Sequence, residues 1–289
     1  MSKVNIYLFL VIIVTTVSCK QSSTVDRGPV LKTELIAELE SEVCETSALV
    51  FHDSFLYTVN DSGGEPIIYK LDTASNKITS QIYVSDVENI DWEALATNDT
   101  HFFIGDFGNN RGRRTDLSVF FFDKNNLDNE SVSVEKIAFS YADWYEPAGG
   151  VHSTQFDAEA MLAFNDTIWI FTKCWEKYNT TIYKLPIEKG SFVLQPWISL
   201  DVDGLITAAC HGLEKQEIWL TGYKEYEAFL WKLKYDDRLQ TVQIENRWFL
   251  ETPDSIQNEG LCFVNNELWI SSEESKSAPA AIYKIDLDF

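Results

Sequence analysis

One pattern recurs along the chain: an acidic or small polar residue, an apolar strand, a turn, then an aromatic-rich strand ending in a polar residue. Five copies align on their second strands. These are Leu56-Tyr57-Thr58-Val59-Asn60-Asp61, His101-Phe102-Phe103-Ile104-Gly105-Asp106, Ile168-Trp169-Ile170-Phe171-Thr172-Lys173, Ile218-Trp219-Leu220-Thr221-Gly222-Tyr223 and Leu268-Trp269-Ile270-Ser271-Ser272-Glu273. An aromatic residue holds the second place each time. The strand ends fall 45, 67, 50 and 50 residues apart, the period of propeller blades.

A third strand of alternating or branched apolar residues follows in every copy: Ile67 to Leu71, Leu117 to Phe122, Thr181 to Leu185, Phe229 to Leu233 and Ala281 to Ile285. A fourth follows in the first four only, at Ile78 to Val84, Val134 to Phe139, Leu194 to Leu200 and Glu245 to Leu250. The fifth copy runs out at Phe289, and Leu31 to Leu39, ahead of the first copy, is the natural donor of its missing outer strand. Such pairing removes the exposed edges an open ring would leave. The fold expected is all-β, a propeller of five four-stranded blades closed by the N-terminal strand. A six-bladed ring needs a unit hidden between Asp123 and Asp157, where only one strand is legible; a β-sandwich does not require five aligned four-strand units.

Residues 1–18 read as a signal peptide, with Lys3 ahead of an apolar stretch from Ile6 to Val17. That stretch is shorter than the roughly 20 residues needed to span a bilayer. Cys19 after Thr16-Val17-Ser18 resembles the lipobox of bacterial lipoproteins, which implies lipidation of Cys19, a membrane partner through the lipid, and a place in the cell envelope. Residues 19–30 are then a polar tether and 31–289 the propeller domain. Apolar residues make up 45% of the 289 and can supply a substantial core. Against 45 Asp and Glu stand only 23 Lys and Arg, for a net charge of -22. That field repels phosphate backbones, so nucleic acid is not an expected partner. Cys44, Cys174, Cys210 and Cys262 show no CxxC spacing and read as buried thiols.

In a propeller the start of each first strand and the end of each second strand emerge at one channel mouth. The aligned starts are Ser47, Glu93, Glu159, Thr207 and Glu259, and the ends Asp61, Asp106, Lys173, Tyr223 and Glu273. Ten positions thus bring six carboxylates and one ammonium together. Two like charges about 6 Å apart at an effective dielectric near 20 repel by roughly 3 kcal/mol, so relief must come from raised pKa values, from Lys173 or from a cation. Hard oxygen donors suit Ca²⁺, with Asp61, Asp106, Glu93, Glu159, Glu259 and Glu273 as the candidate set.

Glu259-Gly260-Leu261 with Leu268-Trp269-Ile270-Ser271-Ser272-Glu273 resembles the repeat of the calcium-dependent propeller esterases and lactonases: the gluconolactonase/SMP-30 and paraoxonase groups and the phytase esterase-like domains. The resemblance implies a central Ca²⁺ that polarises a substrate oxygen, with Glu93, Glu159 and Glu259 as ligands or general base. Those families carry more blades than the five counted here, and Lys173 stands where an acid is expected. Arg111, Arg113 and Arg114 form a local basic spot suited to carboxylate or phosphate groups. His152 lies in a long connection, Trp144 to His152, placed to fold over the mouth. His52, His101 and His211 fall in strands or turns and read as structural. No phosphate loop, Gly-x-Ser-x-Gly elbow or His-Glu-x-x-His is present. Three functions fit: a binding module for a small molecule, glycan or protein; a Ca-dependent hydrolase of esters, lactones or phosphate-bearing small molecules; and a five-bladed glycoside hydrolase.

Overall fold

The computed structural model describes residues 28–164, 166–253 and 256–287; the signal segment, Cys19 and most of the tether lie outside the described residues. Strand β1 (Val30–Glu38) comes first. Unit one is β2 (Val50–His52), β3 (Phe55–Thr58), β4 (Ile67–Asp72) and β5 (Ile78–Ser85). Unit two is β6 (Trp92–Thr97), β7 (His101–Asp106), β8 (Ser118–Asp123) and, after the short β9 (Ser131–Ser133), β10 (Glu135–Tyr141). Unit three is β11 (Ala158–Phe164), β12 (Thr167–Thr172), β13 (Thr180–Pro186) and, after β14 (Gly190–Leu194), β15 (Pro196–Leu200). Unit four is β16 (Leu205–His211), β17 (Glu217–Lys224), β18 (Glu227–Asp236) and β19 (Thr241–Glu251). The fifth has β20 (Asn258–Val264), β21 (Glu267–Ser272) and β22 (Ala281–Ile285), and the fold is all-β and propeller-like.

Strand alternation builds the core between units. Along β12, Ile168 and Ile170 pack with Phe103 and Phe121 of unit two, whereas Trp169 and Phe171 pack with Ile218 and Phe229 of unit four. Five such apolar seams occur, one for each pair of neighbouring units, the last joining Leu49, Leu56 and Tyr69 to Trp269 and Ile282. The first strands contact one another in the circuit β2, β6, β11, β16, β20 and back to β2. Tryptophans 169, 219 and 269 are buried in these seams, as the alternation predicts.

The N-terminal strand supplies the fourth strand of the fifth unit, antiparallel to β22 from Thr33↔Ile285 to Glu38↔Ala281. It also runs parallel to β19 through Val30↔Phe249 to Lys32↔Glu251, fusing units four and five into one eight-stranded sheet. Two more edge strands bridge units in the same way. β9 runs parallel to β5 of unit one, and β14 runs parallel to β10 of unit two. The expected single strand Leu194 to Leu200 is therefore two strands. Pro196, which has no N–H to donate, opens the second of them, a position where a strand tolerates proline. Between Asp123 and Asp157 the described residues hold β9 and β10 and no further unit.

Replacing Leu31, buried on β1 between units four and five, with alanine is expected to cost about 2–3 kcal/mol in urea denaturation. Removing residues 30–38 should cost more, because it unpairs the edges of both β19 and β22. Equal urea midpoints for full-length and shortened chains would contradict the closure.

Candidate functional site

Four first strands carry the same irregularity. The ladder skips one residue between Trp92 and Ala94, between Ala158 and Ala160, between Ile206 and Ala208, and between Asn258 and Gly260. The skipped residues are Glu93, Glu159, Thr207 and Glu259. A β-bulge leaves its extra residue unpaired and re-aims its side chain, which here brings the three glutamates into one axial cavity. Unit one reaches the same place through an isolated bridge, Thr46↔Asn60, followed by Ser47. The two hydroxyls at this level tie neighbouring units: Ser47 donates to the Trp92 carbonyl at 2.8 Å, and Thr207 donates to the Asn258 carbonyl.

Glu93, Glu159 and Glu259 line one cavity of about 210 Å³ with Asp61, Glu273, Lys173, Tyr223 and His152. Next to it a space of only about 10 Å³ lies between the same three glutamates and Ala and Leu side chains of the first strands, and the opposite end is lined by apolar groups such as Leu95, Phe51 and Phe263 together with Cys210 and Cys262. The four cysteines among the described residues are free thiols, with Cys174, Cys210 and Cys262 buried and Cys44 only partly so. The site is thus an acidic cup at one end of the axis, with apolar groups at the other.

Charge within the cup is arranged in two halves. On one side Lys173, 4% exposed, sits 2.6 Å from both oxygens of Glu159 and about equally over the rings of Trp175 and Tyr223, at 5.0 and 5.1 Å. Burial alone would favour the neutral amine, but the Glu159 and Glu259 carboxylates override it and push the Lys173 pKa well up. Burial raises the Glu159 carboxyl and Lys173 opposes it; the bidentate contact holds the two as an ion pair. On the other side Asp61, Asp91 and Glu93 each offer an oxygen within 4.8 Å of the others. Burial, then Asp61, pushes Asp91 up to about 7. Burial, then the neighbouring Glu159 and Asp61, pushes Glu93 well up. Glu259 is pushed up to about 8, by burial against the pull of Lys173.

Backbone approach tightens this second half. A methyl group on Gly108 would lie 2.2 Å from the Glu93 Oε1 and 2.5 Å from the Asp91 carboxyl carbon, so only glycine lets both carboxyls close over that loop. Asn89 braces the rim by donating to the Asn60 and Asp61 carbonyls at 2.9 and 3.1 Å and accepting from the Trp92 N–H.

Several expected positions lie elsewhere. Asp106 pairs with Trp92 across the ladder, the place that Thr172, Gly222 and Ser272 hold in other units. The residue equivalent to Lys173, Tyr223 and Glu273 is therefore Phe107, and the sequence alignment of the second copy is one residue out. Because side chains alternate, that single slip turns Asp106 off the cup, where it accepts from Arg114 at 2.8 Å. Arg114 also bonds Asp116 and the Gly108 carbonyl, Arg113 faces Glu146 at 4.0 Å, and neither they nor Arg111 line the cup. His52 and His101 do not line it, and His211 donates its Nε2–H to the Ala163 carbonyl on the opposite side.

Residues that the alignment did not mark also bear on the cup: Gln257 lines it, and Asp91 and Asp157 stand beside the lining. Asp91, Asp157 and Gln257 each stand two places before a bulge glutamate. Asp157 is fully buried and accepts from the Asn109 N–H at 2.7 Å and the Trp175 Nε1–H at 2.8 Å. Trp175 in turn stacks on the His152 ring, centroids 3.9 Å apart and 17° from parallel. The connection bearing His152 is docked by hydrogen bonds from Trp144 to Gly112 and from His152 to Asn110. Burial, then Lys173, lowers the His152 pKa and so favours its neutral ring. Gln257 links Tyr223 to Glu273.

Lys173→Met should cost about 3–5 kcal/mol by stranding a buried Glu159 carboxylate. Adding Glu159→Gln should restore much of the loss, and a double-mutant cycle in urea would reveal the coupling; additive effects would show the pair is not coupled.

No protein-family model and no curated protein matches the sequence. Among solved structures, the PQQ-bound aldose sugar dehydrogenase of Streptomyces coelicolor is similar with a TM-score of 0.50 at 9% identity, over 88% of this chain and 97% of that one. A Bacteroides fragilis protein assigned as exported gives 0.45 at 9% identity, over 90% of this chain and 99% of that one. A Bacteroides uniformis protein assigned as a 6-phosphogluconolactonase gives 0.39 at 11% identity, over 82% and 71%. At such identities the likeness to the dehydrogenase bears on fold alone, which is propeller-like.

Proposed function

We propose that this chain is an exported ligand-binding propeller whose acidic cup takes a divalent cation between Asp61, Asp91 and Glu93. The observation that carries this reading is the convergence of three carboxyl oxygens within 4.8 Å. Ligand oxygens lie about 2.3–2.6 Å from Ca²⁺ and about 2.0–2.1 Å from Mg²⁺. Carboxylate oxygens are hard donors of the kind both ions take, and calcium accepts the irregular, many-oxygen geometry that magnesium does not. Arg114, 4.0 Å from Asp91, offsets part of this charge. A bound Ca²⁺ would supply a fixed positive charge for an oxygen-bearing ligand, while His152 on Trp175 offers a flat neutral ring beside it. Should the loaded protein turn over an ester or lactone, the same ring is placed to accept a proton from attacking water, which is the hydrolase reading.

The raised carboxyl pKa values set the pH dependence. A carboxyl raised on folding binds its proton more tightly in the folded state, so its stabilising contribution is full at low pH and lost as pH rises through the folded value. For Asp91 and Glu259 that window runs from about pH 4 to about pH 8. The metal-free protein should melt at a higher temperature at pH 5 than at pH 8. Ca²⁺ should raise the melting temperature by several degrees at pH 8, less at pH 5, and not in Asp91→Asn. An identical melting curve with Ca²⁺ and with chelator at pH 8 would overturn the cation reading.

We further propose that Cys19 carries a lipid and tethers the cup to a membrane, since a polar tether of about ten residues separates it from β1. Among the described residues no helix is long and apolar enough to cross a membrane. Metabolic labelling with a palmitate analogue should mark the wild type and not Cys19→Ser; equal labelling of both would refute the assignment.

A further inference from the structure

The half of the cup facing units three, four and five has a chemistry of its own. Glu259 is aimed inward by its bulge, is only 7% exposed, and accepts no hydrogen bond and makes no ion pair among the described residues. A buried carboxyl with free lone pairs calls for an N–H donor, and a cation that binds it displaces the carboxyl proton to solvent. Beside it the protein displays what this wall can stabilise: the ammonium of Lys173, gripped by Glu159 and faced by the rings of Trp175 and Tyr223. Outward of Tyr223, Tyr226 lies nearly parallel to it, 8° off with centroids 6.4 Å apart, and is 62% exposed. Tyr226 adopts φ 66°, a left-handed conformation that bulky side chains rarely take, so the turn holds an aromatic ring outside Tyr223 at the expense of backbone comfort.

We propose that this wall is a subsite for a primary ammonium group on an unbranched alkyl chain, such as a polyamine or a lysine side chain carries. The ammonium donates to Glu259, with Glu273 behind it, and the alkyl chain lies along Tyr223 and Tyr226. A quaternary ammonium enjoys the same ring faces but has no N–H for the carboxylate, so it is excluded from the inner position. The net charge of -22 draws cations toward the cup from solution. The subsite uses Glu259 and Glu273, whereas the divalent-cation reading uses Asp61, Asp91 and Glu93; Asp61 is close enough to the first pair to feel their charge.

Calorimetric titration of the mature chain with 1,5-diaminopentane in physiological salt tests the proposal. Saturable one-to-one binding is expected, weakened at least about tenfold in Glu259→Gln and severalfold in Tyr223→Leu, with no saturable heat from tetramethylammonium. If Glu259→Gln does not fold, Glu259→Asp, which keeps the charge and withdraws it by one methylene, is expected to weaken binding instead. Absence of diamine binding to wild type, an unchanged affinity in the Glu259 variant, or equal binding of tetramethylammonium would each overturn it. A Ca²⁺ titration of the same wild-type sample reads the other half: loss of that signal alone refutes the divalent site and leaves the ammonium subsite standing.

Discussion

A strand has only two faces, and in this fold both are occupied, because each sheet packs against a neighbour on either side. A side chain that must point along the axis has no place in a regular ladder. The one-residue bulge at the start of β6, β11, β16 and β20 resolves that constraint by leaving one residue out of the pairing. Glu93, Glu159, Thr207 and Glu259 owe their position to it. Apolar residues on either side, such as Leu95 and Met161, keep their places in the seams. The core and the polar cup are therefore compatible only because the irregularity repeats.

Bringing carboxyls to one axis places them out of water and near each other. Burial and mutual repulsion both favour the protonated form, and while Lys173 grips Glu159 directly, the other half has only Arg114 at 4.0 Å from Asp91 as a counterion. The other half keeps Asp61, Asp91 and Glu93 close over the bare backbone of Gly108. Such unrelieved charge works against stability and is commonly found where a ligand completes the balance. The apolar lining at the other end of the axis confines this chemistry to one face.

The positioning groups around the cup have a different character. Asp157, though fully buried, is satisfied by Asn109 and Trp175 and serves to hold the indole on which His152 lies. Arg114 gathers Asp106, Asp116 and the Gly108 carbonyl, and so fixes the loop against which Glu93 and Asp91 rest. Neither residue is an obvious ligand contact. Both determine where the ligand-facing groups stand.

Much of this was legible in the chain itself. Period-two alternation with recurring aromatic residues identified the strands, and the spacing of the repeats identified the toroid. The short fifth copy predicted that Leu31 to Leu39 would close it, because an unpaired edge must find a partner. The pattern Asp91-x-Glu93, Asp157-x-Glu159, Gln257-x-Glu259 was also present and would have marked the second ring of cup residues, since residues two apart share a face. Two adjacent phenylalanines, Phe102 and Phe103, instead made the register of the second copy ambiguous by one, and Asp106 was placed on the wrong face. Tertiary structure alone decided that register, the bulges, the exchange of β9 and β14 between units, and the pairing of Lys173 with Glu159. Alternation and spacing are properties of neighbouring residues and survive in one dimension. Which residue a ladder omits, and which charges then meet across the axis, depends on contacts between units far apart in sequence.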